Sequence, residues 1–413
     1  MPEERFIPFR KQDIISMCTN EVQHEYSVSS FQEFCQLLAS LMHFEYHQVL
    51  ESLKDDYAPF DPNRDTRQLL ELSEPEKQQC QQRFAENFAN VLDAANFEKV
   101  TEQDLLDALN EESLFKVRLA VEFDDFEQVV FYRRGESKVT ETLRSWFGLK
   151  KQSIQFTNYD RVAVFITFKD KDHFANKKKS VVGFEPGSTI VKLFQNVPKA
   201  DLEMLFPNSE VKMRPIDKVI IGSSALIGGA VVLITKLGAS LVLLATLFAF
   251  WLGLSEENVE FTQQHIITLA IGTGIFGSFV FKEWSKFKNR KIKFMKALSD
   301  NLYYKNLDNN AGVFHSLIDA AEEEDFKEAL LAYTFLLKHP NGLTSSQLDD
   351  RIEAWFRERY QCQLDFEISD ALRKLMDKKL VEQKNDTYFA KPLASAKNHL
   401  DKYWDELFSF NQA

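Results

Sequence analysis

His43 and His47 stand one helical turn apart, a spacing that can chelate zinc. A zinc-protease helix, however, carries its glutamate beside the first histidine; here the acid is Glu45, which a helix turns away from that face. Both histidines read as ordinary surface or core residues. Asp61, Asn63 and Asp65 match the first three ligand positions of a calcium loop, but Thr66 replaces its glycine and Leu72 its bidentate glutamate. An Asx-type turn after Pro62 fits better. Gly272-Thr273-Gly274-Ile275-Phe276-Gly277 spells G-x-G-x-x-G, yet a Lys-rich helical stretch follows where a dinucleotide fold needs a second strand. Close packing of apolar helices explains those glycines more simply. Two polar clusters remain. Asn306, Asp308, Asn309 and Asn310 could gather a ligand or cap a helix end before Gly312. Glu322-Glu323-Glu324-Asp325 reads as a helix start, where the dipole favours negative charge, and acid/base work would require partners the sequence does not name. No catalytic, cofactor-binding or metal-ligating residue is assigned on these patterns, and no cofactor is expected.

The elements that must position these residues fall into blocks. Residues 1–114 carry helical periodicity: Ser30 and Glu33 fit a capping box, and Phe34, Leu38, Leu41, Val49 and Leu53 make a stripe that Pro59 and Pro62 end. A second helix is expected over about Glu76 to Ala95. Residues 115–215 change to period two, a small α+β domain with strands at Val117–Phe123, Gln128–Tyr132, Arg161–Phe168 and Ile190–Phe194. Val139–Phe147 reads as a strand or short helix, and Lys177-Lys178-Lys179 as a solvated loop tip or a headgroup contact.

Residues 216–281 are strongly apolar. Val219–Leu254 holds 36 residues with Lys236 as the only charge, and Ile266–Phe281 holds 16 with none. Spans are expected at about 238–254 and 262–281, with 219–235 interfacial or re-entrant. Lys212, Arg214 and Lys218 before the block and seven Lys/Arg from Lys282 to Lys296 after it place both ends inside, and Glu256, Glu257 and Glu260 place the bend outside. Residues 282–320 read as a basic helix and Asn-rich connector. In 321–392 the order helix, helix, helix, strand, turn, strand is winged-helix-like, with Thr344 capping the middle helix, and 393–413 is a closing helix. The fold class expected is therefore a multi-domain α+β membrane protein: helical bundle, small α+β domain, transmembrane hairpin, winged-helix-like domain.

The chain has 413 residues and a net charge of −12, which argues against general nucleic-acid binding. From Phe366 to Lys391 six bases face five acids, so a protein partner suits the last domain better than DNA. Cys18, Cys35, Cys80 and Cys362 lack C-x-x-C spacing and read as reduced core thiols.

Ala94-Ala95-Asn96-Phe97, Phe131-Tyr132-Arg133-Arg134-Gly135, the run from Lys192 to Leu205, Leu302–Val313 continuing through Ala320–Glu324, and Ala329–Tyr333 together resemble the transmembrane protein 143 family. That resemblance implies a membrane protein, mitochondrial in animals, with no activity or site residue to carry over. The absence of a presequence fits a bacterial member. The function expected is a membrane-anchored, non-enzymatic adaptor or assembly protein. Its partners would be the lipid bilayer and a protein, with self-association left open. It would sit in an inner membrane with cytoplasmic domains, or in a mitochondrial membrane in a eukaryote. Alternatives are a transporter or channel component, motivated by Lys236, and a hydrolase or nucleotide-dependent enzyme using Asn306–Asn310 and Glu322–Asp325.

Overall fold

Apolar side chains at helical spacing build the first elements. The computed structural model describes residues 5–64, 66, 69, 72–101, 103–104, 118–145, 150–175, 184–212, 238–254 and 262–408. Helix α1 spans Lys11–Val22 and α2 Val28–Tyr57, whose Phe31, Phe34, Leu38, Leu41, Leu50 and Leu53 are buried. The α2 start lies at Ser27 rather than Ser30, and Ser29 Oγ donates to Glu33 from within the helix. A capping box forms instead at Ser73 and Glu76, opening α3, Glu74–Ala94. Then come β1 (Glu98–Lys99), β2 (Arg118–Ala120), β3 (Phe126–Ser145), β4 (Lys150–Phe168), a short α4 (Lys171–Ala175), β5 (Thr189–Pro198) and β6 (Glu210–Lys212). Helices α5 (Gly238–Trp251) and α6 (Gln263–Lys305), strand β7 (Asn306–Asn309) and helices α7 (Ala311–Leu337), α8 (Ser345–Tyr360) and α9 (Ile368–Asp377) follow. The series closes with β8 (Val381–Lys384), β9 (Thr387–Ala390) and α10 (Leu393–Glu406).

The chain divides into two units, residues 1–111, 123–202 and 305–413 forming the first and 112–122 and 203–304 the second. The first unit carries a five-stranded antiparallel sheet ordered β1-β3-β4-β5-β7. Val162 to Phe168 is buried without interruption, as a strand covered on both faces must be. Val139 onward, read as strand or helix, simply continues β3 against β4. The Asn-rich connector is corrected too: Asn306–Asn309 is the outer strand, paired to β5 through Lys192 with Asn309 and Leu193 with Asp308. Its polar side chains hid it, because backbone pairing along β5 decides the conformation rather than apolar alternation.

Two apolar cores in this unit share α7. One joins α1, α2, α8, α9 and α10 to the second half of α7, where Phe34 stacks on Tyr333 with ring centroids 4.5 Å apart. The other sets Val313, Phe314 and Leu317 of α7 with the end of α2, with α3 and with Ala163, Phe165, Val191 and Leu193 of the sheet. Thr344 does cap α8, accepting from the backbone N–H of Gln347. The element order α7, α8, α9, β8, β9 is the one read from sequence, but these helices bury their apolar sides in a core common to α1 and α2. The acidic run is also repositioned. Helix α7 begins at Ala311, so Glu322–Asp325 lies in its middle, out of reach of the N-terminal dipole.

In the second unit β2 pairs antiparallel with β6. Helix α5 is apolar but only 14 residues long, about 21 Å at 1.5 Å per residue against a hydrocarbon core of about 30 Å. Gly253 at φ +74° turns the chain just after it. Among the described residues, only α6 holds a stretch long and apolar enough to cross a membrane, Ile266–Lys286, 21 residues. The expected multi-domain membrane protein with a transmembrane hairpin therefore gives way to a mixed α/β fold with one such helix. Gly272–Gly277 lies inside α6, not at a strand-to-helix turn. The expected re-entrant segment 219–235, residue 236, residues 214 and 218, the acidic bend 255–260 and the lysines 177–179 lie outside the described residues.

Candidate functional site

Strand alternation sends the two arginines of Phe131-Tyr132-Arg133-Arg134-Gly135 to opposite faces of β3. Arg133 is neutralised where it lands: Glu98 lies 3.0 Å away, Glu136 also pairs with it, and its guanidinium sits 5.2 Å over the Tyr159 ring. Arg134 shares the other face with Tyr132 and lies directly opposite Arg161 of β4, like charge against like. Its Nη1 donates to the Ala95 carbonyl at 3.2 Å, and the rings of Phe97 and Phe6 stand 5.1 and 5.3 Å from it. Arg161 donates to the Asp160 carbonyl at 3.1 Å. Among the described residues neither guanidinium makes an ion pair. Burial lowers the Arg134 pKa below the usual guanidinium value, against the opposing pull of Glu324. Gly135 is required here: its φ is +70°, and a Cβ would come within 2.5 Å of the Asp160 carboxylate.

Both arginines line a cavity of about 300 Å³ with Phe97 and Leu193 beside them and Asp308, Ser316, Glu323 and Glu324 across it. These carboxylates are engaged elsewhere. Ser316 Oγ donates to Asp308; Glu324 accepts from the Ile7 N–H at 2.9 Å and from Lys327 Nζ at 2.6 Å; Glu323 accepts from the Lys11 N–H at 2.9 Å. The sequence-level cluster is thus divided. Asp308 lines the cavity; Asn306 and Asn309 pair with β5; Asn310, at φ +50°, accepts from the Val191 N–H through Oδ1 at 3.2 Å. Glu323 and Glu324 of the acidic run reach the same cavity. Arg134 and Arg161 were missed as site residues, although an Arg-Arg-Gly step within a period-two segment is a readable signal that one arginine must face inward.

A second polar cluster is buried further along α7. Carboxylate oxygens of Asp325, Glu328 and Asp370 lie within 4.8 Å of one another, a set that could hold a divalent cation. The chain supplies its own cation, since the Lys374 ammonium pairs with both Asp325 and Asp370. The Tyr46 hydroxyl donates to Asp325, and Asn96 Nδ2 donates to Glu328 at 3.0 Å. Burial pushes Glu328 well above the usual carboxyl range and raises Asp325 as well, though Lys374 opposes both shifts. Burial also works to raise Asp370, yet Lys374 and Arg373 hold it below its ordinary value. This set fits a charge-balanced clamp between α7 and α9 better than a metal centre.

His43 and His47 border a broad groove of about 860 Å³ with Lys11, Cys35 and Trp404. His43 Nδ1 lies 2.7 Å from Glu322, while Glu45 meets Lys378, the residue just after α9. Asp61 closes an Asx turn by accepting from the Asn63 N–H at 2.9 Å; residue 65 lies outside the described residues.

Fold and site together define a mixed α/β protein with a half-buried arginine pair facing a small polar cavity. Residues 159–312, less than half of the chain, match the model of a family described as a protein of unknown function, DUF3754. That stretch includes Arg161, β5, α6 and Asp308. No solved structure matches the chain.

Proposed function

We propose that the chain is a non-enzymatic adaptor attached to a lipid surface through α6 and offering its helical first unit to a protein partner. The observation that carries this reading is the division of α6 itself. Its 21-residue apolar stretch Ile266–Lys286 is 6 % buried and spans about 31 Å, close to a hydrocarbon core. Exposed Lys282, Lys286, Lys288, Lys293 and Lys296 then follow, as anionic headgroups would favour. At the junction Trp284 lies against Phe281, with Lys288 5.0 Å over its ring, the aromatic and cationic mixture typical of a membrane interface. The resemblance to the transmembrane protein 143 family, whose run from Lys192 to Leu205 lies inside the matched residues 159–312, supports the same assignment. Lipid attachment would place the protein at an inner membrane, or at a mitochondrial membrane in a eukaryote.

A protein partner is favoured over nucleic acid because the bases of α9, and Lys378 just after it, are spent internally. Arg373 pairs with Asp370, Lys374 with Asp325, and Lys378 with Glu45, so the helix that reads DNA in winged-helix proteins has little charge left for phosphates. Flotation of the full chain with vesicles tests attachment. The wild type should float with vesicles containing anionic lipid and resist extraction at alkaline pH. Ile271→Lys with Phe276→Lys should abolish flotation, and glutamate at Lys282, Lys286, Lys288 and Lys293 should remove the anionic preference. A wild type that stays at the bottom of the gradient with every lipid would refute the proposal.

A further inference from the structure

We infer that the cavity between the sheet and α7 binds a small organic oxyanion, a carboxylate or phosphate ester, on the facing guanidiniums of Arg134 and Arg161. The first reason is an imbalance at one spot. Antiparallel register sets two cations directly opposite each other, which is destabilising unless an anion lies between or beside them. The neighbouring arginine on the same strand does have carboxylates: Arg133 has Glu98 and Glu136. Arg134 and Arg161 donate to backbone carbonyls and have no carboxylate at ion-pair distance among the described residues, although Glu324, Glu323 and Asp160 act on Arg134 from farther off.

The second reason is shape. The guanidinium fork matches carboxylate and phosphate oxygens, and two forks on adjacent strands present donors to one face of one ligand. A cavity of about 300 Å³ lies at the small end of ligand pockets, so a metabolite-sized molecule fits and a polymer does not.

The acids around the cavity define the rest of the ligand. Glu324 and Asp308 already accept hydrogen bonds from the chain, and Glu324 acts on Arg134 only through space, with no direct ion pair. Exposed Asp319 and the remaining oxygen of Glu323 border the cavity, where they would accept hydrogen bonds from hydroxyl or ammonium groups and repel a second anionic group. The ligand therefore carries a single anionic group at one end and hydrogen-bond donors at the other. Arg134, pressed against Phe97 and bonded to the carbonyl that follows α3, would sense its arrival.

Calorimetric titration of the full chain in mild detergent, with inorganic phosphate, acetate and glycerol phosphate, tests the assignment. One saturable site per chain is expected for at least one of them. Arg134→Gln and Arg161→Gln should each weaken it by ~10-fold or more, Arg161→Lys by less, and the exposed-loop control Arg64→Gln not at all. Unfolding midpoints of each variant check that the fold survives. A measurement needing no variant accompanies it: phosphate should protect Arg134 and Arg161 of the wild type from phenylglyoxal, read by peptide mass spectrometry. Absence of both saturable binding and protection overturns the inference. So does equal binding by the glutamine variants, or binding only to vesicles of anionic lipid, which would make the arginines a headgroup contact instead.

Discussion

Glu328 keeps its proton to higher pH in the folded protein than in an unfolded chain. Its pKa is lifted well above the ordinary 4.5 by burial, against the pull of Lys374 and the Asn96 hydrogen bond and with added repulsion from Asp325 and Glu324. The folded state then binds more protons than the unfolded state above that value, so this group's contribution to stability falls as pH rises from about 4.5 toward its folded pKa. Glu328→Gln keeps the acceptor for Asn96 and removes the titration. It should stabilise the protein at pH 8 relative to wild type and leave pH 4 stability nearly unchanged, because the group that must bind a proton in the folded state is gone. Denaturant midpoints at the two pH values check this; parallel pH curves for wild type and variant would contradict it. Lys374→Met acts in the opposite direction. It leaves Asp325 and Asp370 without their shared ammonium and should cost about 3–5 kcal/mol in chemical denaturation.

At the scale of the element, β7 shows how a polar segment is held. Asn310 ends it with φ +50° and a side-chain bond to the Val191 N–H. Asn310→Gly loses the bond but suits the backbone, whereas Asn310→Ala loses both, so alanine should be the more destabilising by ~1 kcal/mol. Equal unfolding midpoints would show that the backbone there carries no strain. The same strand marks the limit of reading by pattern. The apolar stripe of α2, the Thr344 cap and the buried Val162–Phe168 strand were legible because each depends on neighbours a few residues away. Asn306–Asn309 was not, since its partner lies more than a hundred residues back in β5. Glu322–Asp325 misled for the same reason: charge at mid-helix is tolerated only because Ile7, Lys11, Tyr46 and Lys374 come from remote segments to meet it. The site was half legible. Asp308 and the acidic run were singled out, but the arginines opposite them depend on strand register, which no local pattern fixes.

For the whole molecule, the shared core of α1, α2 and α7–α10 makes a statement about independence. Residues 321–413, which the order of elements would present as a separate module, should fail to unfold cooperatively when produced alone, because Leu330, Tyr333 and Leu336 of α7 then lose Phe34, Leu38 and Leu41 of α2. A sharp calorimetric transition in that fragment would disprove this.

The clamp of Ile7 and Phe9 on Lys327 links segments 320 and 318 positions apart. During synthesis the greasy flank of α2 emerges some 290 residues before the α7 side chains that cover it, a wait of roughly 15–60 s at ribosomal speeds of about 5–20 residues per second. Throughout that interval α1 and α3 can cover parts of α2, but the side chains that pack on α7 have no native partner. A long wait with that flank uncovered follows from letting one late helix complete so much of the interior.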